Sequence, residues 1–263
     1  QTLNEGFHEG RIVNYRIFLD KIERGEPVVV AYLGGSITEG VMCAPIKGVN
    51  KYGEKYDYTA MADTEKYSWR ARTFEWLNKN YQKHDGQFRM VHAAVGDTHS
   101  ELATYRLDDN VLKHKPDLLF LEFAVNDNGR AVRSNDPMAD ASIYRTMSSI
   151  IRRAEEANPD IALFISVSTA RDLDPDEDFG VALSRKHHIN LANQLRIPYA
   201  DIHSIFYEQR LPAGVSKRNV FDGPDEASCT VHPSPLGYKA YAFGVIRILE
   251  SVMSGKDFQF SGP

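Results

Sequence analysis

A serine in a glycine-rich turn is the first group of this sequence that could do covalent chemistry. Residues 34–40 (GGSITEG) directly follow the apolar run from Val28 to Leu33, which is typical of a strand buried on both faces. Glycines let the chain turn sharply after a strand and expose a hydroxyl, so Ser36 suits a nucleophile. A phosphate-binding loop or a helix N-cap can look similar, although residues 34–40 match neither the standard phosphate-loop spacings nor G-x-S-x-G.

Two further polar turns could donate hydrogen bonds to a developing oxyanion. Residues 95–100 (VGDTHS) follow a predicted strand at 88–94, and residues 124–129 (AVNDNG) follow one at 118–123. Gly96 could offer an unobstructed backbone N–H, and Asn126 a side-chain NH₂. For Asn126 the alternative is a plain turn, since Asn, Asp and Gly are common turn residues.

A histidine near the C-terminal end could act as a general base. His232 lies in residues 229–238 (CTVHPSPLGY), where two prolines hold the chain extended before the last predicted helix. Imidazole can accept a proton from a serine near neutral pH and return it to a leaving group. His187, His188 and His203 lie in helical or strand-end patterns without a second ligand at metal spacing, so we predict no metal and no cofactor.

These turns require a sheet whose strands end at one edge. We predict strands at 28–33, 88–94, 118–123, 161–167 and, more weakly, 197–202, and helices at 69–81, 100–112, 139–157, 181–195 and 236–253. This alternation implies right-handed crossovers and a parallel sheet covered by helices on both faces. We therefore predict one three-layer α/β/α domain over residues 1–263, with an amphipathic N-terminal helix at about 9–24.

An insertion at about 41–68 does not fit this alternation. It is longer than a usual βα loop and carries Tyr52, Tyr56, Tyr58 and Tyr67. The segment either builds substrate-binding surface or is a surface insertion over a packed aromatic cluster, and the sequence leaves both interpretations open. A second irregular stretch at 208–235 is rich in Pro, Gly, Asp and Ser.

Composition excludes several functional classes. The chain has 263 residues, of which 42% are hydrophobic, and this suffices for a sizeable core. A net charge of −5 argues against nucleic acid and anionic membrane as partners, and no apolar run approaches the ~18 residues of a membrane span. Two cysteines make no disulfide framework. The chain begins at Gln1 without a leader pattern, so a secreted and a cytoplasmic location both stay open, as does the oligomeric state.

The four polar blocks, taken together, resemble the SGNH hydrolases, also called GDSL esterases and lipases. More narrowly, GGSITEG at 34–40 with EFAVND at 122–127 is similar to a bacterial branch often associated with carbohydrate esters. The resemblance implies a flavodoxin-like five-stranded parallel sheet, with Ser36 as nucleophile and His232 as base. It also implies an oxyanion hole formed by the Ser36 and Gly96 backbone N–H groups and the Asn126 side chain.

The sequence departs from this family at two positions. Ala124 replaces the glycine of the third block, which is a modest change. Cys229 replaces the aspartate that usually orients the histidine, and a neutral thiol is a poor acceptor for an imidazole N–H. The possible substitutes are a backbone carbonyl in a Ser-His dyad, which we rank first, or a carboxylate of Asp222, Asp225 or Glu226. Reduced catalysis is the third alternative.

The leading functional hypothesis is a serine esterase that removes a small acyl group, acetyl above all, from a carbohydrate or similar polar ester through an acyl-enzyme. Transfer of the acyl group to another hydroxyl is an alternative that the same residues would serve. A non-catalytic carbohydrate-binding relative with a decayed triad is the other alternative, favoured by Cys229 and opposed by the presence of all four polar blocks.

Overall fold

A five-stranded, wholly parallel sheet forms the centre of the protein. The computed structural model describes residues 5–43, 46–50, 52–127, 139–171, 179–221 and 230–255. The strands of the sheet are β1 (Val28–Gly34), β4 (Phe88–Ala94), β5 (Leu118–Glu122), β6 (Ala162–Val167) and β7 (Tyr199–Asp201). They lie in the order β4-β1-β5-β6-β7. Counted along the chain this is 2-1-3-4-5, the flavodoxin-like order, in which ligands bind where the order reverses, beside the end of β1.

Helices cover both faces of the sheet. They are α1 (Glu5–Glu23), α2 (Ser36–Glu39), α3 (Thr64–Tyr67), α4 (Trp69–Tyr81), α5 (Ser100–Asn110), α6 (Ala139–Ala157), α7 (Phe179–Leu195), α8 (Ile202–Tyr207) and α9 (Pro235–Met253). One apolar cluster joins the sheet to α1, α4 and α9, and a second joins it to α5, α6 and α7. The predicted three-layer α/β/α class is therefore confirmed. Within the described ranges, no helix is both long and apolar enough to cross a membrane.

Alternate residues of the central strands face opposite helical layers. Val30 and Tyr32 of β1 belong to the first apolar cluster, whereas Ala31 and Leu33 belong to the second. All four side chains are buried. Burial on both faces is the reason that this strand is a continuous apolar run instead of an alternating one.

The last strand is shorter than its sequence pattern predicts. Four strands begin and end within one residue of their predicted bounds, but the fifth covers only Tyr199–Asp201 of the predicted 197–202. The N–H of Ile197 bonds instead to the carbonyl of Ala192 and closes the end of α7, and Ile202 begins α8. The N-terminal helix begins earlier than predicted, at Glu5.

A small hairpin interrupts the connection between β1 and α4. Its strands, β2 (Lys47–Val49) and β3 (Lys55–Asp57), are antiparallel. Tyr56 and Tyr58 are buried, and their stacked rings have centroids 5.4 Å apart. Tyr52, between the two strands, is 46% exposed. Part of the aromatic cluster thus packs beneath the insertion, while one tyrosine faces solvent.

Aromatic rings join the sheet to the layer that contains α4 and α9. Phe120 of β5 stacks on Tyr32 with ring centroids 4.7 Å apart and lies 5.3 Å from Phe164. Trp69, the first residue of α4, contacts Phe120 edge-on and stacks on Tyr241 of α9 at 5.0 Å. Phe120 therefore contacts rings from both neighbouring strands and from α4, and Trp69 extends this aromatic cluster to α9.

We expect Phe120→Ala to lower the free energy of unfolding by about 3–5 kcal/mol, because it removes a fully buried ring and leaves a cavity among other rings. Urea denaturation followed by circular dichroism measures the change. Tyr105→Ala is the matched control, since Tyr105 is 79% exposed and its loss should cost less than about 0.5 kcal/mol. Equal losses for the two variants would contradict the assigned core.

Candidate active site

Ser36 follows the carboxyl end of β1 and begins the short helix α2. The two preceding glycines are required by close contacts rather than by unusual backbone angles. A Cβ on Gly34 would lie 2.3 Å from Thr38 Oγ1, and a Cβ on Gly35 would lie 2.2 Å from Asn126 Oδ1. A side chain at Gly34 would collide with Thr38 and with the backbone carbonyl of Glu122, and one at Gly35 would displace the amide of Asn126.

The Ser36 hydroxyl lies 2.9 Å from Nε2 of His232. When Nε2 is unprotonated, the hydroxyl donates to it, as nucleophilic attack by serine requires. Partial burial lowers the pKa of His232 from its ordinary value of 6.5, and the negative charge of Glu39 acts in the opposite direction. The lowered pKa keeps the ring neutral, and able to accept a proton, at neutral pH.

The segment around His232 is anchored to the rest of the site. The Ser234 hydroxyl caps α9 by accepting a hydrogen bond from the N–H of Gly237 (3.0 Å), and Pro235 occupies the first turn of that helix. The hydroxyl of Tyr238 donates to the carbonyl of Val41 at 2.6 Å. These contacts hold the start of α9 against the chain that leaves α2, so that His232 faces Ser36.

Gly96 lies beside Ser36, at the end of β4. A Cβ on Gly96 would be 3.8 Å from Ser36 Cβ and 2.9 Å from a carboxylate oxygen of Glu39. The next residue, Asp97, has a φ of 56°, a left-handed conformation that is uncommon for a residue other than glycine. The chain therefore turns sharply beside the serine, and the absence of a side chain leaves the Gly96 backbone open.

Asn126 lies in a helical turn that follows β5, and its Oδ1 is buried against Gly35 with no hydrogen-bond partner in the described part of the chain. The adjacent carboxylate of Asp127 accepts hydrogen bonds from the backbone N–H of Ser100 at 2.8 Å and from Nε2 of His188 at 2.9 Å. Asn126, the predicted oxyanion residue, is thus packed next to the serine turn, and the bonds of Asp127 anchor the neighbouring residue to α5 and α7.

Two arginines that we did not predict, one fully buried and one half-buried, hold the serine turn in place. Arg70 of α4 is fully buried, and its Nε donates to the carbonyl of Thr38 at 3.2 Å, at the carboxyl end of α2. An arginine there satisfies free helix carbonyls and opposes the negative end of the helix dipole. Glu65 pairs with the same guanidinium at 2.8 Å.

The second arginine joins the ends of two strands. Arg106 of α5 donates to the carbonyl of Gly34 at 3.0 Å, to Thr98 Oγ1 at 3.2 Å and to the carbonyl of Ala93. It thereby links the end of β1, before Ser36, to the end of β4, before Gly96. A single arginine on a helix has no distinctive sequence pattern, so neither arginine could have been identified from the sequence alone.

The structure brings Ser36, Gly96, Asn126 and His232 to one edge of the sheet. The four predicted candidates for orienting the histidine, Asp222, Asp225, Glu226 and Cys229, lie outside the described residues. Cys43 is disulfide-bonded. Among the described side chains, no group of three or more His, Cys, Asp or Glu is arranged to hold a metal ion.

Comparisons with solved structures show the same fold. A two-domain esterase active on acetylated mannans is 18% identical, with a TM-score of 0.65, over 96% of this chain and 56% of that one. An acetylxylan esterase from Geobacillus stearothermophilus is 15% identical, with a TM-score of 0.58, over 85% of this chain and 94% of that one. The chain thus spans little more than half of the two-domain esterase. No curated protein matches the chain by sequence.

A family comparison covers most of the same region. The sequence profile of the GDSL-like lipase/acylhydrolase family matches residues 32–240, a range that contains all four polar turns of the site. Since this match extends over well more than half of the chain, the protein belongs to the GDSL-like lipase/acylhydrolase family of carboxylic ester hydrolases.

Proposed function

We propose that the protein is a serine esterase that removes a small acyl group, acetyl above all, from a carbohydrate or similar polar ester. The observation that carries this proposal is the 2.9 Å contact between Ser36 Oγ and His232 Nε2, at the sheet edge where the strand order reverses. Gly96 lies beside the same serine, and the Asn126 side chain packs against Gly35, the residue before it. This arrangement supports acyl transfer, because it combines a nucleophile, a base and nearby hydrogen-bond donors.

In the proposed reaction, Ser36 Oγ attacks the ester carbonyl while His232 takes its proton. The backbone N–H groups of Ser36 and Gly96 and the amide NH₂ of Asn126 stabilise the resulting oxyanion. The C–O bond to the alcohol then breaks, and His232 returns the proton to the leaving oxygen. Water, deprotonated by His232, hydrolyses the acyl-enzyme and regenerates the Ser36 hydroxyl.

The negative charge of Glu39 supports the base in this scheme. Its carboxylate lies next to Gly96 and raises the pKa of His232, which burial lowers. The imidazolium that forms during attack is therefore partly compensated. As the group that orients the His232 ring, we rank a backbone carbonyl, which would leave a Ser-His dyad, first. A carboxylate from Asp222, Asp225 or Glu226 ranks second.

Two observations support a carbohydrate ester as substrate. Both structural neighbours named above act on, or are named for, acetylated polysaccharides. Tyr52, in the hairpin between β1 and α4, is also 46% exposed, with the Arg218 guanidinium 5.1 Å from its ring centroid, and aromatic side chains can pack against the apolar faces of sugar rings. Acetylated xylo- and manno-oligosaccharides are therefore the first substrates to test, with acetate release as the measurement.

We expect Ser36→Ala to abolish hydrolysis of p-nitrophenyl acetate and labelling by a fluorophosphonate, because the hydroxyl is the nucleophile. Its melting temperature should stay close to that of the wild type. Ser254→Ala is the control, since Ser254 is exposed near the far end of α9. Activity of Ser36→Ala within tenfold of the wild type would remove Ser36 from the mechanism, and an unlabelled, inactive wild type would favour the binding protein.

The pH dependence of kcat/KM reports on His232. Turnover needs the neutral ring and should fall as the pH drops through the pKa of His232, which lies below 6.5 because of burial. Glu39→Gln should move this acidic limb to still lower pH, since the Glu39 charge raises that pKa. His84→Gln, at an exposed histidine, is the control. An unchanged limb in Glu39→Gln would contradict the assigned electrostatics.

Asn126→Ala should lower kcat by about 10² or more with a smaller effect on KM, because the amide acts mainly on the transition state. Steady-state kinetics with p-nitrophenyl acetate measures both constants. Asn80→Ala, at an exposed asparagine of α4, should leave both unchanged. If Asn126→Ala changed KM alone, Asn126 would be a substrate-binding residue instead.

A further inference from the structure

A buried carboxylate lies beneath the candidate active site. Glu122, the last residue of β5, is 1% exposed. Its Oε2 accepts a hydrogen bond from Thr38 Oγ1 at 2.8 Å, and its Oε1 accepts one from Ser168 Oγ at 2.5 Å. Both donors are themselves buried hydroxyls. No lysine or arginine within the described ranges pairs with this carboxylate.

Such a carboxylate is costly to keep. Burial raises the pKa of Glu122, and the two hydroxyl hydrogen bonds oppose that rise only in part. A buried charge without a cationic partner destabilises a fold, whereas a neutral amide of the same size would avoid most of that cost. A glutamate at this position therefore indicates a role that requires two oxygens, both of which accept strong hydrogen bonds.

The two hydroxyls that bond to Glu122, those of Thr38 and Ser168, belong to segments next to different parts of the site. Thr38 lies on α2, two residues after Ser36, and it reaches Glu122 across Gly34, where a Cβ would be 2.3 Å from its Oγ1. Ser168, just after β6, also accepts a hydrogen bond from the backbone N–H of Val125 at 3.2 Å. The residue after Val125 is Asn126. One carboxylate thus connects the segment that carries the serine to the segment that carries the amide.

We propose that Glu122 is a positioning residue that holds Ser36 and the Asn126 turn in mutual register through Thr38 and Ser168. Both of its oxygens accept, and a glutamine would offer one acceptor and one donor group. The Ser168 oxygen already accepts from Val125, so a donor amide would compete with that bond. Glutamine therefore fits the space but weakens the connection. The inference rests on the proposed esterase function, which supplies its readout.

Charged and titratable groups around Glu122 come from several elements. The charge of Asp127 raises the pKa of Glu122, and the charge of His188 of α7 lowers it. Burial raises the pKa values of Tyr238 and Tyr241 of α9, and the Glu122 charge adds to that rise. The pKa of Glu122 is higher in the folded chain than in the unfolded chain. As the pH rises above the ordinary pKa of 4.5, the unfolded chain therefore loses the Glu122 proton first. Ionisation of Glu122 thus lowers the stability of the fold as the pH rises.

The test compares five proteins in steady-state hydrolysis of p-nitrophenyl acetate at pH 8: the wild type, Glu122→Gln, Thr38→Val, Ser168→Ala and the control Ser166→Ala. Ser166 is buried, lies two residues before Ser168, and donates its hydrogen bond to the Tyr241 hydroxyl instead of to Glu122. We expect kcat to fall roughly tenfold to a hundredfold in the three network variants, with KM within about twofold. Ser166→Ala should keep kcat within about twofold.

Stability and additivity separate positioning from a structural role. The melting temperature of Glu122→Gln at pH 8 should equal or exceed that of the wild type, since the buried charge is gone. The double variant Glu122→Gln with Thr38→Val should be no slower than Glu122→Gln alone, because both changes break one connection. If Glu122→Gln does not fold, Thr38→Val and Ser168→Ala provide the same kinetic comparison.

Three results would overturn the inference: kcat within twofold of the wild type in the network variants, a loss of kcat that follows a loss of melting temperature, or additive effects in the double variant. If the wild type itself neither turns over ester nor reacts with fluorophosphonate, the proposed function fails and this inference fails with it. An active wild type with unimpaired network variants overturns the inference alone.

Discussion

At the end of β1 the backbone passes so close to Thr38 and Asn126 that neither Gly34 nor Gly35 has room for a Cβ. This close approach sets the position of Ser36, because the serine follows the glycines directly. It also brings Asn126, from the end of β5, against the serine turn. A side chain at Gly34 would push against the backbone of β5 at Glu122, and one at Gly35 would displace the amide of Asn126, so the candidate site depends on both glycines.

Charged side chains, of which Arg70 and Glu122 are fully buried, maintain that approach from several directions. Arg70 bonds to a carbonyl at the end of α2, Arg106 links the ends of β1 and β4, and Glu122 connects α2 to the region before Asn126. Hydrogen bonds to charged groups are stronger than neutral ones, and burial protects them from competition with water. Hydrogen bonds to these charged side chains therefore hold the turns of the site in place.

The position of His232 depends on a different part of the fold. Its segment is held by the N-terminal cap of α9 and by the bond from Tyr238 to Val41. The serine and the histidine are 196 residues apart in sequence, yet their side chains are within hydrogen-bonding distance. Burial and the charge of Glu39 act in opposite directions on the pKa of His232. The fold thus sets both the location and the basicity of this group.

The sequence by itself determined the features that depend on local chemistry. Apolar runs located the buried strands, and short polar motifs after three of them, with His232 before the last helix, identified the residues that the structure brings together. Only the tertiary structure decided which polar groups support them. Arg70, Arg106, Glu122 and the pair of Asp127 with His188 are single residues whose partners come from distant segments. Periodicity and turn composition reflect neighbours along the chain, whereas the partner of a buried charge is set by how the crossovers place strands and helices around it.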